Sequence, residues 1–370
     1  MSATLPKSQT FLDTATGSFI DLAERGLVPD VLLRAGIRRL CRDRLAALRG
    51  PTLDAERARL QTYVDELRRS PIAVATREAN EQHYEVPAEF YLRALGKNLK
   101  YSGAYFPTGN ETLDQAEDLA LAETIRRAEL SDGSKILELG CGWGSLTLAM
   151  ARAFPRAKIT AVSNSKSQRE FILARAAKEG LTGVEVVTRN VADGLDFPED
   201  SFDRVVSVEM FEHMKNYGRL LAEISRVLVP GGKLFVHIFT HREFAYPFET
   251  EGEDNWMGRY FFTGGQMPSH DLLLFFQADL RIESQWAWDG RHYSRTANAW
   301  LENQDAHREE ILAVFRQTYG DAATAERWFN RWRIFFMACA ELFGFDNGNE
   351  WGVSHYRFVK PVNGERVARS

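Results

Sequence analysis

Cysteine is scarce in this 370-residue chain. Cys41, Cys141 and Cys339 stand far apart, with no C-x-x-C pair and no Cys/His cluster. That spacing excludes a disulfide framework and a zinc site of recognisable pattern, so no metal is expected. It suits a reducing cytoplasm. Long apolar runs are missing as well: nothing approaches the roughly 20 residues that cross a bilayer. The opening MSATLPKSQTFLDTATGSF has no apolar core of the kind a secretory signal needs. Positive charge is not in excess. A net charge of -5 gives no support to nucleic acid as the main partner, which would leave a basic footprint. Internal repeats and low-complexity linkers are absent. What remains is an ordinary globular composition, 44% hydrophobic and 26% charged. The length holds one large α/β domain with an added layer, or two domains.

The opening third reads as helical. Leu33, Ile37, Leu40, Ala47 and Leu48 recur at broadly helical spacing over Val31 to Arg49, and Gly50-Pro51 stops the run. A second helical segment, LDAERARLQTYVDELRRS, follows. The arginines along both admit a membrane-surface face or a solvated face on helices packed against the rest. Intermixed acids and a modest apolar stripe favour the second. From Ser134 strands and helices alternate: KILELG, a helix through Ala151, KITAVS, a helix from Ser167 to Glu179, VEVVT, RVVSVE, a helix from Tyr217 to Val227, and KLFVHIF. Pro230-Gly231-Gly232 reads as the turn into that last strand. This order predicts parallel β-α-β crossovers and a doubly wound, Rossmann-like α/β sheet. Beyond His241 the chain is rich in aromatics and glycine, then helical again from Thr296 to Leu342.

The most informative stretch is ILELGCGWGSL, Ile136 to Leu146. It predicts a buried strand, a turn with Gly140, Gly142 and Gly144 on alternate residues, and a helix. Backbone without Cβ lets a ligand approach closely. Glu138 lies inside the apolar run, where a carboxylate needs a partner or a cation. This acidic strand end and turn are similar to those of S-adenosylmethionine (SAM) methyltransferases. Ligands in such sheets meet the C-terminal ends of the strands. The second strand end supplies Ser163, Asn164 and Gln168, uncharged groups that can bond a ribose diol. The third supplies Asn190 and Val191 for adenine. A nicotinamide-dinucleotide reading is weaker, because G-x-G-x-x-G and an acid at the second strand end are both absent.

Further motifs extend the resemblance. LKYSGAYFPTGNETLDQAE, SNSKSQ, SVEMFEHMKNY and KLFVHIFTH join the glycine turn in resembling the cyclopropane-fatty-acyl-phospholipid synthase-like branch of SAM methyltransferases. Within it, HYEVPAEFY, RYFFTGGQMPS, GRHYSRTANAWL and WRIFFMACAELFGFDNGNEW are most similar to plant coclaurine and related benzylisoquinoline alkaloid N-methyltransferases. The resemblance implies a class I SAM-methyltransferase fold in three parts: helices over 1–100, a SAM-binding core over 101–240, and a substrate-binding insertion, cap helices and final strands over 241–370. It also implies SAM contacts from Tyr101, Ser102, Gly140, Gly142, Ser163 and Gln168. The cyclopropane synthases carry a cysteine in YSCAYF that helps bind bicarbonate, and a glycine before MFEH. Here those positions are Gly103 and Glu209, which argues against cyclopropanation, although Glu212 and His237 match the bicarbonate site.

SVEMFEHMKNY follows a strand, so it is expected over the cofactor. If it turns helically, Glu209, Glu212 and His213 share one pocket. Methyl transfer to nitrogen needs a free lone pair, while most such amines are protonated at neutral pH. Carboxylates attract the cation, and histidine titrates near the operating pH. The resemblance gives Glu209 and His213 those roles. Trp286, Trp288, Tyr293, Trp328, Trp332, Phe335 and Phe336 are candidate walls for an aromatic amine; Trp332 and Phe336 are the best placed by resemblance. The expected activity is transfer of a methyl group from SAM to a small, aromatic or tetrahydroisoquinoline-like amine. A lipid-modifying enzyme that meets membrane lipid, and a SAM-binding protein without catalysis, are the alternatives.

Overall fold

A computed structural model of the chain describes residues 19–74, 86–249 and 255–362. Met1 to Ser18 of the opening stretch, and His83, Tyr84 and Glu85 of the HYEVPAEFY motif, lie outside these residues. Helices α1 (Asp30–Leu48) and α2 (Leu53–Arg69) match the two predicted segments within a residue, and Thr52 caps α2 by accepting from the Ala55 N–H. The short α3 (Ala88–Ala94) and α4 (Leu113–Arg127) follow, α4 opening on a Thr112/Gln115 capping box.

The core then alternates as the sequence predicts: β1 (Lys135–Leu139), α5 (Ser145–Ala153), β2 (Lys158–Ser163), α6 (Lys166–Lys178), β3 (Val184–Thr188), β4 (Phe202–Val208), α7 (Tyr217–Val227) and β5 (Leu228–His241). Helix α7 shows how the pattern folds. Leu220, Leu221, Ile224 and Val227 recur at three- and four-residue steps and are all buried. The Pro230-Gly231-Gly232 turn lies inside β5, not before it. The strand starts at Leu228 opposite Phe202 and bulges before Lys233 pairs with Arg204. The last third holds β6 (Tyr246–Pro247), α8 (Trp256–Tyr260), β7 (Gln266–Met267), β8 (Arg281–Trp288), α9 (Gly290–Ala306), α10 (Arg308–Tyr319), α11 (Ala322–Gly344) and β9 (Trp351–Val359).

One seven-stranded sheet runs in the order β3-β2-β1-β4-β5-β9-β8. The first five strands are parallel, and β9 inserts antiparallel between β5 and β8. Strand order reverses between β1 and β4, so the crevice above their C-terminal ends is where such a sheet receives a ligand. The segment beyond 241 therefore completes the central sheet and also adds the helical cap. On the cap, Arg34 and Arg38 of α1 both bond Glu341 of α11, at 2.9 and 2.7 Å. Among the described residues no helix is long and apolar enough to cross a membrane.

Candidate active site

The β1 turn forms a glycine cradle on a cavity over the strand ends. Gly140, Gly142 and Gly144 have φ of +80°, +49° and +83°, a region that side chains rarely enter. Each glycine has its own reason. A Cβ on Gly140 would come 2.8 Å from Met210 after β4, and one on Gly144 would come 2.6 Å from Ile172. At Gly142, which lines the cavity, it would meet no atom of the described residues within 4 Å. Tyr101, Thr124 and Ser145 line this cavity, and their buried hydroxyls form no hydrogen bond among the described residues. Buried polar atoms left so are costly, and a polar ligand satisfies them. Glu138 also faces the cavity. Its Oε2 accepts from Thr147 Oγ1 at 2.5 Å, and burial pushes its carboxyl up to about 7 against that bond.

Tyr101, Ser102, Gly140, Gly142 and Gln168 line the cavity together. Gly144, Ser163, Asn164, Asn190 and Val191 do not. Gly144 starts α5. Ser163 Oγ donates to Gln168 Oε1 at 2.7 Å and so holds that side chain in place. Asn190 accepts from the Ala192 N–H and caps a short 3₁₀ turn that contains Val191. Lys100 is a lining residue that the sequence reading missed. It is buried, donates to Ser102 Oγ and to the Gly103 carbonyl at 2.6 Å each, and desolvation lowers its pKa to about 8. Its place directly before Tyr101-Ser102 was the available signal.

Glu209 follows β4 with φ +48°, a strained position for a residue other than glycine. The backbone there points its carboxylate into a ring of donors. Oε1 accepts from the Gly103 N–H at 3.0 Å and lies 3.2 Å from His237 Nε2; Oε2 accepts from Tyr293 OH at 2.7 Å. Burial raises the Glu209 pKa, while the Lys100 charge and the bonds from Gly103 and Tyr293 pull it back. The close fit explains Gly103, where a Cβ would press on the Tyr293 ring at 3.1 Å.

His213 lines the same cavity, half-buried, with its ring stacked on Phe262 at 5.9 Å between centroids. The structure separates Glu212 from this pair. Phe211–His213 is a 3₁₀ turn entered from the left-handed Glu209, so the α-helical spacing that would gather all three does not apply. Glu212 is fully buried outside the cavity lining, and its Oε1 accepts from the Phe239 N–H of β5 at 2.8 Å. Its Oε2 has no hydrogen-bond partner among the described residues. Burial, and then the charge of Glu209, push its carboxyl well above the usual range.

The aromatic wall also differs from the expectation. Trp332 and Phe336 are fully buried and do not reach the cavity. They pack against Phe90, whose ring centre lies 4.6 Å from that of Trp332. On α11 it is Phe335, between them in sequence, that faces the cavity, joined by Phe239, Phe262, Tyr293 and Trp300. Trp328 stacks on Tyr319 instead. Trp286 and Trp288 lie under the Arg127 guanidinium, at 5.1 and 5.5 Å from its carbon. Among the described residues no cluster of potential ligands is arranged to hold a metal ion.

A family model described as mycolic acid cyclopropane synthetase matches residues 73–351. The chain belongs to that family. It is 39% identical over 340 residues to (S)-coclaurine N-methyltransferase of Thalictrum flavum subsp. glaucum, covering 91% of this chain and 94% of that one. Cyclopropane-fatty-acyl-phospholipid synthase of Escherichia coli is 29% identical over 78% of this chain and 70% of its own. A crystal structure of coclaurine N-methyltransferase bound to N-methylheliamine and SAH superposes with a TM-score of 0.90 at 36% identity, over 94% of this chain and all of that one. The chain is thus a SAM-dependent methyltransferase of the class I, Rossmann-like fold, and its cradle and unsatisfied hydroxyls fit SAM.

Proposed function

We propose that the protein is an N-methyltransferase for a small amine, aromatic or tetrahydroisoquinoline-like, with Glu209 as the anchor for the ammonium and His213 as the base. The observation that carries this reading is the carboxylate of Glu209, held by Gly103, Tyr293 and His237 on the cavity that His213 also lines. A fixed anion beside an imidazole suits a substrate that arrives as a cation and must lose a proton. Phe239, Phe262, Phe335 and Trp300 supply apolar faces against which an aromatic or cationic amine gains further. When bound, SAM supplies the electrophilic methyl group. Tyr101, Ser102, Gly140, Gly142, Glu138 and Gln168 would hold it, with Ser163, Asn164, Asn190 and Val191 at the strand ends toward its adenosine. Glu212 supports the site through the β5 backbone. Similarity to the coclaurine and pavine N-methyltransferases points the same way.

The lipid reading is less well supported. A bicarbonate at the position it occupies in the cyclopropane synthases would compete with Glu209, an anion already bonded to Gly103 and His237. A cytoplasmic location is part of the proposal, and the three buried, free cysteines suit it. The test is SAM turnover with a secondary tetrahydroisoquinoline against its N-acetyl derivative, which has the same rings but no basic nitrogen. Turnover with the amine alone is expected. Equal turnover with both would contradict nitrogen as the acceptor.

A further inference from the structure

Glu209 is the last member of a buried chain of hydrogen bonds that runs back through the sheet. His237 on β5 and His355 on β9 are paired across the antiparallel ladder, so their side chains lie on the same face of adjacent strands. His237 Nδ1 and His355 Nε2 are 2.9 Å apart, and His355 Nδ1 meets Nη1 of Arg127 at the end of α4. Arg127 Nε in turn bonds Glu123 at 2.6 Å. Both imidazoles are fully buried. Trp288 packs edge-on to them, at 4.4 and 5.7 Å between ring centres, and Trp286 and Trp288 cover the guanidinium.

The chemistry of Arg127 fixes the direction of this chain. A guanidinium has N–H donors only and does not give up its proton in a protein. His355 Nδ1 must therefore accept, which leaves its proton on Nε2. That proton is donated to His237 Nδ1, so His237 also carries its proton on Nε2 and donates it to Glu209. The opposite arrangement would set two donors against each other at Arg127. Doubly protonated rings are disfavoured too, since burial and the nearby Lys100 and Arg127 charges hold both histidines well below their usual range.

We propose that Arg127 is a positioning residue: acting through His355 and His237, it locks both imidazoles in the Nε2–H form and so presents Glu209 to the substrate as a hydrogen-bonded carboxylate. The tautomer lock is independent of the substrate, whereas its effect on amine binding rests on the function proposed above.

Nitrogen-15 spectra of histidine-labelled, full-length protein read the tautomers directly. The two rings are assigned by loss of signal in His237→Gln and His355→Gln or, should these not fold, by Overhauser contacts to Trp288. Both rings are expected as neutral Nε2–H. Arg127→Met should shift at least one ring to Nδ1–H and raise the amine KM by about tenfold, the scale of one lost charge-assisted hydrogen bond, with SAM affinity unchanged. Arg127→Lys, which keeps a cationic donor, should restore the wild-type pattern. An Nδ1–H or imidazolium form of either ring in the wild type overturns the lock. So does an Arg127→Met protein whose rings keep the Nε2–H form. A wild type with the expected tautomers but no activity on any amine would instead refute the proposed function and leave the lock standing.

Discussion

At the residue scale the site depends on a few atoms whose removal has separable effects. Gly142 lines the cavity, and a side chain there would also have to adopt φ +49°, so Gly142→Val should abolish SAM binding in calorimetry while the fold survives. His213→Ala should lower turnover by about 10²–10⁴-fold with SAM affinity intact, the range for a positioned general base. Raising the pH should partly restore that variant, because more amine is then already deprotonated in solution. Glu209→Gln should raise the amine KM, since it removes the counter-charge of the bound ammonium. The place of the glycine turn, Glu209 and His213 on the cavity was legible in the sequence because each sits in a short motif at a strand end, and that of Tyr101 because it opens the YSGAYF motif. The tie from Tyr293 to Glu209 was not. Tyr293 joins the site from a helix distant in sequence, and no local pattern records that meeting, whereas Lys100 directly precedes the Tyr101-Ser102 motif and was passed over. Trp332 and Phe336 were misread for a related reason. Aromatics on α11 recur around the helix, and only packing decides which face meets the cavity.

At the element scale, the strand ends set the protonation states. Glu138 lies one residue before the end of β1, where burial pushes its carboxyl up to about 7. If it faces the ammonium of the cofactor's amino-acid end, binding selects its ionised form. SAM affinity should then fall as the pH drops from 8 to 6, and Glu138→Gln should bind more weakly and lose the part of that dependence that Glu138 supplies. Calorimetry at the two pH values checks both. Glu212, in the 3₁₀ turn after β4, behaves in the opposite sense to a stabilising ion pair. Its folded pKa lies above the unfolded value, so folding takes up a proton, and its contribution is lost as the pH rises from the ordinary carboxylate range through the raised value. Glu212→Gln keeps an acceptor for the Phe239 N–H without that titration. Its melting temperature relative to wild type should climb between pH 6 and pH 9, and a constant difference would mean that Glu212 is ionised in both states. The strands and helices of the core were legible because their apolar periodicity is strong. The 3₁₀ turn was not, since it follows the left-handed backbone of Glu209, which no local propensity signals.

At the scale of the whole molecule, topology decides what the cavity can receive. The reversal of strand order between β1 and β4 brings the glycine turn and Glu209 to one crevice, and the segment beyond 241 closes it twice over. Strands β8 and β9 extend the sheet and carry His355, while α9 and α11 bring Tyr293, Trp300 and Phe335 over the opening. The chain is similar both to a relative named for N-methylation and to one named for a fatty-acyl phospholipid, so fold alone does not choose between the two chemistries. Under the function proposed above, the choice rests on the carboxylate held by Gly103, Tyr293 and His237. Its most direct test is a competition in one tube: SAM labelled in its methyl group, a secondary tetrahydroisoquinoline, and vesicles of an unsaturated phospholipid. Label is expected on the amine nitrogen, with none in the lipid. Label in the acyl chains, with the amine unmodified, would contradict the assignment.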